Sequence, residues 1–209
     1  MKIVVFGASQ GVGLELLKLA VGSQHDVTAV VRNPSKLSLR DANLAIVKGD
    51  ILDSSSVTGA LQDQDAVCIC VGIPPTRKPV DVFSAGTANV LAAMADHPGQ
   101  KLVVVTGIGA GDSQGHGGFF YDNIINPLLL GTIYADKNRA ESLIRASEVP
   151  WLIVRPGFLT NGPRTGTYRV IDDLSGVVAG KISRADVADF MLKELAAPTH
   201  FGKTPLLMY

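Results

Sequence analysis

Residues 7 to 13 read Gly7-Ala8-Ser9-Gln10-Gly11-Val12-Gly13, a G-x-x-x-G-x-G loop between an apolar run at 3–6 and an amphipathic stretch at 12–21. Residues of these types at this spacing suit the holding of a pyrophosphate by main-chain atoms. Gly7 permits a tight turn, Gly11 lets a phosphate approach the backbone, and Gly13 lets the following helix pack against the preceding strand. The helix N-terminus adds unpaired N–H donors, and Ser9, Gln10 and Val12 complete the loop's contact surface. A strand before and a helix after are the context that separates a dinucleotide site from a merely structural turn.

A second chemical signal closes the run at 27–31, where the chain reads Arg32-Asn33-Pro34-Ser35-Lys36. A site specific for NAD usually places an acid here, about 20 residues beyond the glycines, to accept from the ribose hydroxyls. A guanidinium instead pairs bidentately with a 2′-phosphate and stacks beside adenine, and Ser35 and Lys36 can add donors. Asp26 lies at the opposite end of that strand. The expected cofactor is therefore NADP(H), the bland alternative for Arg32 being a solvated surface residue. Asp50 and Ile51 can flank adenine with a carboxylate and an apolar wall, while Asp53 reads as a helix N-cap. Val71, Gly72 and Thr106 are candidates for contact with the ribose and nicotinamide; the glycines beside them could equally serve turns alone.

These residues need elements to position them. Apolar runs at 3–6, 27–31, 45–47, 66–71, 102–105 and 152–154 are short and lack polar alternation, the pattern of parallel strands buried on both faces. Helical patterns at 12–21, 54–61, 80–94, 135–147 and 184–196 separate them or follow them. Such repetition predicts right-handed crossovers and an α/β fold, a Rossmann-like doubly wound sheet of about seven mainly parallel strands. Six glycines within residues 107–118 mark a loop at the carboxyl end of a strand, where open α/β sheets bind ligands. With a second irregular segment after residue 155, it suggests one domain over 1–209 carrying a small C-terminal substrate lobe from 108–130 and 156–182.

Composition narrows the function classes. Nineteen Lys and Arg balance nineteen Asp and Glu across 209 residues, so no global field favours nucleic acid. The 46% hydrophobic content supplies a core. Cys68 and Cys70 read as buried reduced thiols, too few for a disulfide framework. Four scattered histidines form no H-x-x-x-H pair, so no metal is expected, and His116 reads as an exposed loop imidazole. No apolar run reaches the roughly 20 residues that span a bilayer, which predicts a cytoplasmic protein without a membrane partner.

The glycine loop, the Val-Arg-Asn-Pro ending of the second strand, Gly49-Asp50, Lys137-x-x-Ala140-Glu141 and Val154-Arg155-Pro156-Gly157 resemble the atypical short-chain dehydrogenase/reductase group with NAD(P)-binding domains. Within it the chain looks most like the biliverdin-IX-beta reductase/flavin reductase and NmrA-like proteins. The resemblance implies NADPH in an extended groove, with Lys137 near the nicotinamide ribose and Pro156 near the carboxamide.

Departures from the superfamily pattern bear on catalysis. Tyr-x-x-x-Lys would put Ile133 where the tyrosine belongs; Tyr134 comes one residue late, turned by about 100° on a helix. Gly107 stands where the superfamily has serine, with Thr106 beside it. Lys137, Thr106 and Tyr134 remain the catalytic candidates, Tyr134 as either an acid or a pocket wall. Phe119, Phe120, Tyr121, Phe158 and Tyr168 could wall a planar substrate, or be core or a dimer contact. The expected function is an NADPH-dependent oxidoreductase passing hydride to a flavin, quinone or tetrapyrrole, from a monomer or homodimer. The alternatives are a non-catalytic NADP(H)-binding redox sensor of NmrA-like type and a nucleotide-sugar epimerase/dehydratase, which would need the displaced tyrosine and a larger substrate domain.

Overall fold

Residues stiffened by branching at Cβ pack well on pleated surfaces, and all six apolar runs become strands of one sheet. A computed structural model describing residues 1–209 contains β1 (Lys2–Phe6), α1 (Gly11–Gly22), β2 (Asp26–Val31), β3 (Leu44–Lys48), α2 (Ser54–Leu61), β4 (Ala66–Ile69), α3 (Val82–Met94) and β5 (Lys101–Val105). There follow α4 (Gly131–Arg145), β6 (Trp151–Pro156), β7 (Phe158–Thr160), β8 (Arg169–Ile171), β9 (Lys181–Ser183), α5 (Arg184–Ala196) and β10 (Leu206–Met208). The main sheet has eight strands in the order β3-β2-β1-β4-β5-β6-β10-β8. Its pairs are parallel except β10 with β8. The fold is a Rossmann-like, doubly wound α/β sheet.

Both faces of the central strands are covered. Ile3 and Val5 join Leu16 and Leu17 of α1 and Val187 and Met191 of α5 in one apolar cluster. Their neighbours Val4 and Phe6 point the other way, into a cluster with Val57 of α2, Val90 of α3 and Ile144 of α4. Period-2 alternation puts successive side chains on opposite faces, so an unbroken apolar run is what a strand between two helix layers requires. After β1 the chain builds outward through β2 and β3, then crosses to β4 and builds the other way. The crevice at that reversal, beyond the carboxyl ends of the strands, is where doubly wound sheets take ligands.

The structure departs from expectation at the margins. Eight strands form the sheet rather than about seven, and β7 pairs with β9 in a separate ribbon. β8 and β10 are three-residue strands, too short to leave a periodic signal. β8 lies within the segment expected to form the lobe yet adds to the main sheet. β3 is half exposed because it is an edge strand, so the expectation of burial on both faces fails there. α4 starts at Gly131, not 135, and follows directly on a π-helical segment, Tyr121–Leu130. The glycine-rich segment is not wholly loop; it holds a 3₁₀ turn at Gly111–Ser113. Asp53 caps α2 as expected, accepting from the N–H groups of Ser55 and Ser56. α3 begins at Val82, two residues later than its pattern, and its first N–H groups are met from another element. Buried Asp136 of α4 accepts from the N–H of Phe83 at 2.8 Å and of Ser84 at 3.3 Å. No helix is long and apolar enough to cross a membrane.

Candidate functional site

The three glycines of the first loop are required for three different reasons. Gly7 has φ +79°, and a Cβ there would sit 2.6 Å from the carbonyl carbon of Cys70 at the end of β4. A Cβ on Gly13 would collide with the Gly7 carbonyl oxygen, so this glycine lets α1 close onto β1. Gly11 has φ +65° and open space around it, the Arg184 Nε at 4.0 Å being the one neighbour its Cβ would meet. Gln10 precedes α1 without a side-chain cap, and no acid stands in the first turn. The first-turn N–H groups therefore face the crevice free to bind an anion. An open glycine beside an uncapped helix start is a cradle that fits a dinucleotide's phosphates.

A cleft of ≈ 1370 Å³ runs from this loop in both directions. It exceeds the roughly 300–1,000 Å³ of ordinary small-molecule sites, leaving space for a dinucleotide and a second molecule. Ser9, Gln10 and Val12 line it, with Arg32, Asp50 and Ile51 at one end, Val71 and Gly72 midway, and Thr106, Lys137 and Pro156 toward the other end. Arg32 is exposed. Ser35 and Lys36 do not line the cleft; they lie in a 3₁₀ turn where the Ser35 hydroxyl donates to Asn33. Pro34 opens that turn.

At the far end Lys137 and Tyr134 converge. A Cβ on Gly107 would lie 3.3 Å from the Tyr134 Oη and 3.9 Å from the Lys137 Nζ. Residues three apart on a helix are neighbours on its surface, so Tyr134, although one residue late, lines the cleft beside Lys137. A side chain at Gly107 would crowd the Tyr134 hydroxyl and would make an ordinary contact with the Lys137 ammonium. The Tyr121 hydroxyl, from the π-helical segment, donates to the Tyr134 Oη at 2.9 Å. Burial pushes the Tyr134 phenol far above its ordinary value, assisted by Tyr121. Burial also lowers the Lys137 ammonium to about 8, against an opposing pull from Glu141. Lys137 donates to the Thr106 carbonyl oxygen. The Thr106 hydroxyl donates to Glu141 at 2.7 Å, so it is committed inside the protein rather than presented to the cleft.

The two motifs around 137–141 and 154–157 are halves of one ion pair. Arg155 is fully buried and meets Glu141 through Nε at 3.1 Å and Nη2 at 2.5 Å, with Asp112 at 2.5 Å from Nη1. This fork ties α4 to β6 and holds Thr106, hence the carbonyl that Lys137 uses.

The expected aromatic wall is smaller than the sequence suggests. Tyr121 and Phe158 line the cleft and meet edge to face with ring centres 5.1 Å apart. Phe119 and Phe120 are 83% and 63% exposed and point elsewhere. Tyr168 instead packs on α5, donating to Asp189 and lying edge-on to Phe190. His116 is half-buried with Nδ1 2.9 Å from the Val177 carbonyl oxygen, not an exposed imidazole. Cys68 is buried and Cys70 partly so, both as free thiols. Sequence reasoning missed Asn161, Arg164 and Arg184, which line the cleft across from the glycine loop. The sequence pattern places the start of α5 at residue 184, but not what that start faces.

Comparison with known proteins gives a concordant picture. A family model described as NAD(P)H-binding matches residues 7–198. The Bacillus subtilis protein YwnB, itself uncharacterized, is 32% identical and covers 96% of this chain and 94% of its own length. Sanguinarine reductase of Eschscholzia californica is 27% identical over 93% of this chain and 84% of that one. Among solved structures, the anaerobillin reductase ChuY of Escherichia coli O157:H7 superposes with TM-score 0.84 at 25% identity, covering 100% of this chain and 97% of that one.

Proposed function

Since the chain belongs to the NAD(P)H-binding family, we propose that it is an NADPH-dependent reductase of the atypical short-chain type, passing hydride to a planar acceptor such as a flavin, quinone or tetrapyrrole. The observation that carries this reading is one continuous cleft with a phosphate cradle at one end and the Tyr121–Phe158 pair at the other. Two of the similar proteins are named as reductases, which supports it.

In this reading Gly7, Gly11 and Gly13 with Ser9, Gln10 and Val12 hold the pyrophosphate. Arg32 takes the 2′-phosphate, Asp50 and Ile51 flank the adenosine, and Val71 and Gly72 line the middle of the groove. Lys137 contacts the nicotinamide ribose and Pro156 the carboxamide. Bound there, the reduced nicotinamide supplies the hydride. Tyr134, its phenol pushed up by burial, stays protonated and is a poor acid near neutral pH. A conjugated acceptor spreads the incoming charge over its own ring, so water suffices as proton source. Free thiols at Cys68 and Cys70 support a place in a reducing compartment such as the cytoplasm.

Steady-state oxidation of NADPH and NADH against flavins, quinones and biliverdin tests the proposal. We expect turnover with at least one planar acceptor and about tenfold tighter binding of NADPH, near 1.4 kcal/mol, a preference lost in Arg32→Ala. Tyr134→Phe should lower kcat less than about tenfold, below the 10²–10⁴ that general acid catalysis contributes. A thousandfold fall with cofactor binding intact would make Tyr134 the proton donor. Binding without turnover toward any acceptor would leave the redox-sensor reading instead.

A further inference from the structure

The start of α5 is anchored with unusual thoroughness. The Ser183 hydroxyl caps the helix by accepting from the Asp186 N–H at 3.0 Å. Buried Asp186 in turn accepts from the N–H groups of Thr165 and Gly166, each at 2.8 Å, and from the Tyr209 hydroxyl at 2.7 Å. These bonds hold the loop after β7 and the first turn of α5 as one rigid corner above the glycine loop. Arg184, the first residue of α5, stands on that corner, half-buried.

Its partners do not account for its charge. One guanidinium nitrogen donates to the Asn161 side-chain oxygen at 2.8 Å. No carboxylate lies within ion-pair distance of Arg184, and Glu15, which lines the same cleft, is paired with Lys18. Partly burying a cation against a neutral amide alone gives up hydration with little return. The uncommitted side of the fork faces the glycine loop, with Nε 4.0 Å from where a Gly11 Cβ would stand. Across the same gap are the uncapped first-turn N–H groups of α1. Two sets of donors, one a helix start and the other a planar cation, bound a space that glycine keeps empty. A diphosphate has oxygens enough to meet both.

We infer that Arg184, oriented by Asn161, is a binding residue that closes on the pyrophosphate of the dinucleotide from the side opposite the glycine loop. The inference rests on the nucleotide reading of the cleft and adds to it a contact from the far end of the chain. Arg32 and Arg184 then divide the cofactor's anionic groups, the 2′-phosphate to one and the pyrophosphate to the other.

Calorimetric titration with NADPH, ADP and 2′-AMP separates the two arginines, because ADP carries a diphosphate without a 2′-phosphate and 2′-AMP the reverse. Arg184→Gln should weaken ADP and NADPH about tenfold or more, in the range of one charge-assisted hydrogen bond, while changing 2′-AMP less than about twofold. Its ADP affinity should also depend less steeply on salt, because one screened cation is gone. Asn161→Ala should weaken ADP in the same direction by about threefold, and it decides the matter if Arg184→Gln does not fold. Unchanged ADP affinity in these variants, or equal losses for ADP and 2′-AMP, would overturn the assignment. An Arg32→Ala variant that binds 2′-AMP and NADPH as the wild type does would sink the NADPH preference and leave the Arg184 result standing.

Discussion

Lys137 carries a charge whose burial costs the fold stability. Its ammonium is half-buried among Phe83, Tyr134 and the Thr106 carbonyl, and its pKa is lowered to about 8 by burial. In the unfolded chain the amine returns to its ordinary value of 10.5. Between those two values the unfolded state binds more protons, so stability rises with pH across that interval. Below it both states are protonated and the cost of burying the charge is present in full. Lys137→Met should therefore stabilise the protein at pH 7. Partial exposure and the lost bond to Thr106 reduce the gain to about 1 kcal/mol, or roughly 2–4 °C in Tm. The advantage should shrink as pH climbs from 8 toward 10. Thermal melts of both proteins across that range test this, and an advantage that grows with pH would mean the ammonium is held more by Glu141 than it is penalised by burial.

Among the elements, α4 and β6 are joined by the Arg155–Glu141 fork, where two separate sequence motifs meet inside the protein. Removing one partner of a buried pair leaves the other charged and unmatched, at a cost of about 3–5 kcal/mol, whereas replacing both with apolar residues is often near neutral. Glu141→Leu alone should fall in that range by chemical denaturation, and adding Arg155→Met should recover most of the loss. Asp112 continues to hold Arg155 in the single variant, which places the effect toward the lower bound. A double variant no better than the single would show that the pair stabilises the fold on its own account. The π-helical segment before α4 has a different part, aiming Tyr121 at Tyr134. Such segments often stand at functional sites, and Pro127 within it lacks the N–H an α-helical ladder would use.

On the scale of the whole molecule, the cleft is walled by the ends of β1 through β6 and covered by the β7–β9 corner with α5. Its lining runs from Phe6 to Ala185, nearly the length of the chain. Ligand that binds only the folded state stabilises it by mass action, about 2.7 kcal/mol at one hundred times its Kd. NADPH at that excess should raise Tm by roughly 5–10 °C in a domain of this size. NADH at the same concentration, if tenfold weaker, should add only about half as much free energy. Scanning fluorimetry with both nucleotides reads this directly, and equal shifts would remove the NADPH preference.

Much of this was legible before any coordinates. The turn at Gly7, the helix at Gly11, the strand ending in Arg32 and the Asp53 cap are local matters, settled by spacing and residue type within a few positions, and the structure keeps them. The chemistry at the other end of the cleft was not local. Whether Tyr134 and Lys137 meet over Gly107 depends on α4 packing against the loop that follows β5. That Glu141 and Arg155 form one pair depends on α4 packing beside β6. That Arg184 overlooks Gly11, 173 positions earlier in the chain, depends on α5 lying against α1. Periodicity records which face of an element is buried but not which element covers it. The glycine loop and the helix start behind it were therefore written in the sequence itself, while the groups that face them across the cleft were decided only when tertiary packing chose their neighbours.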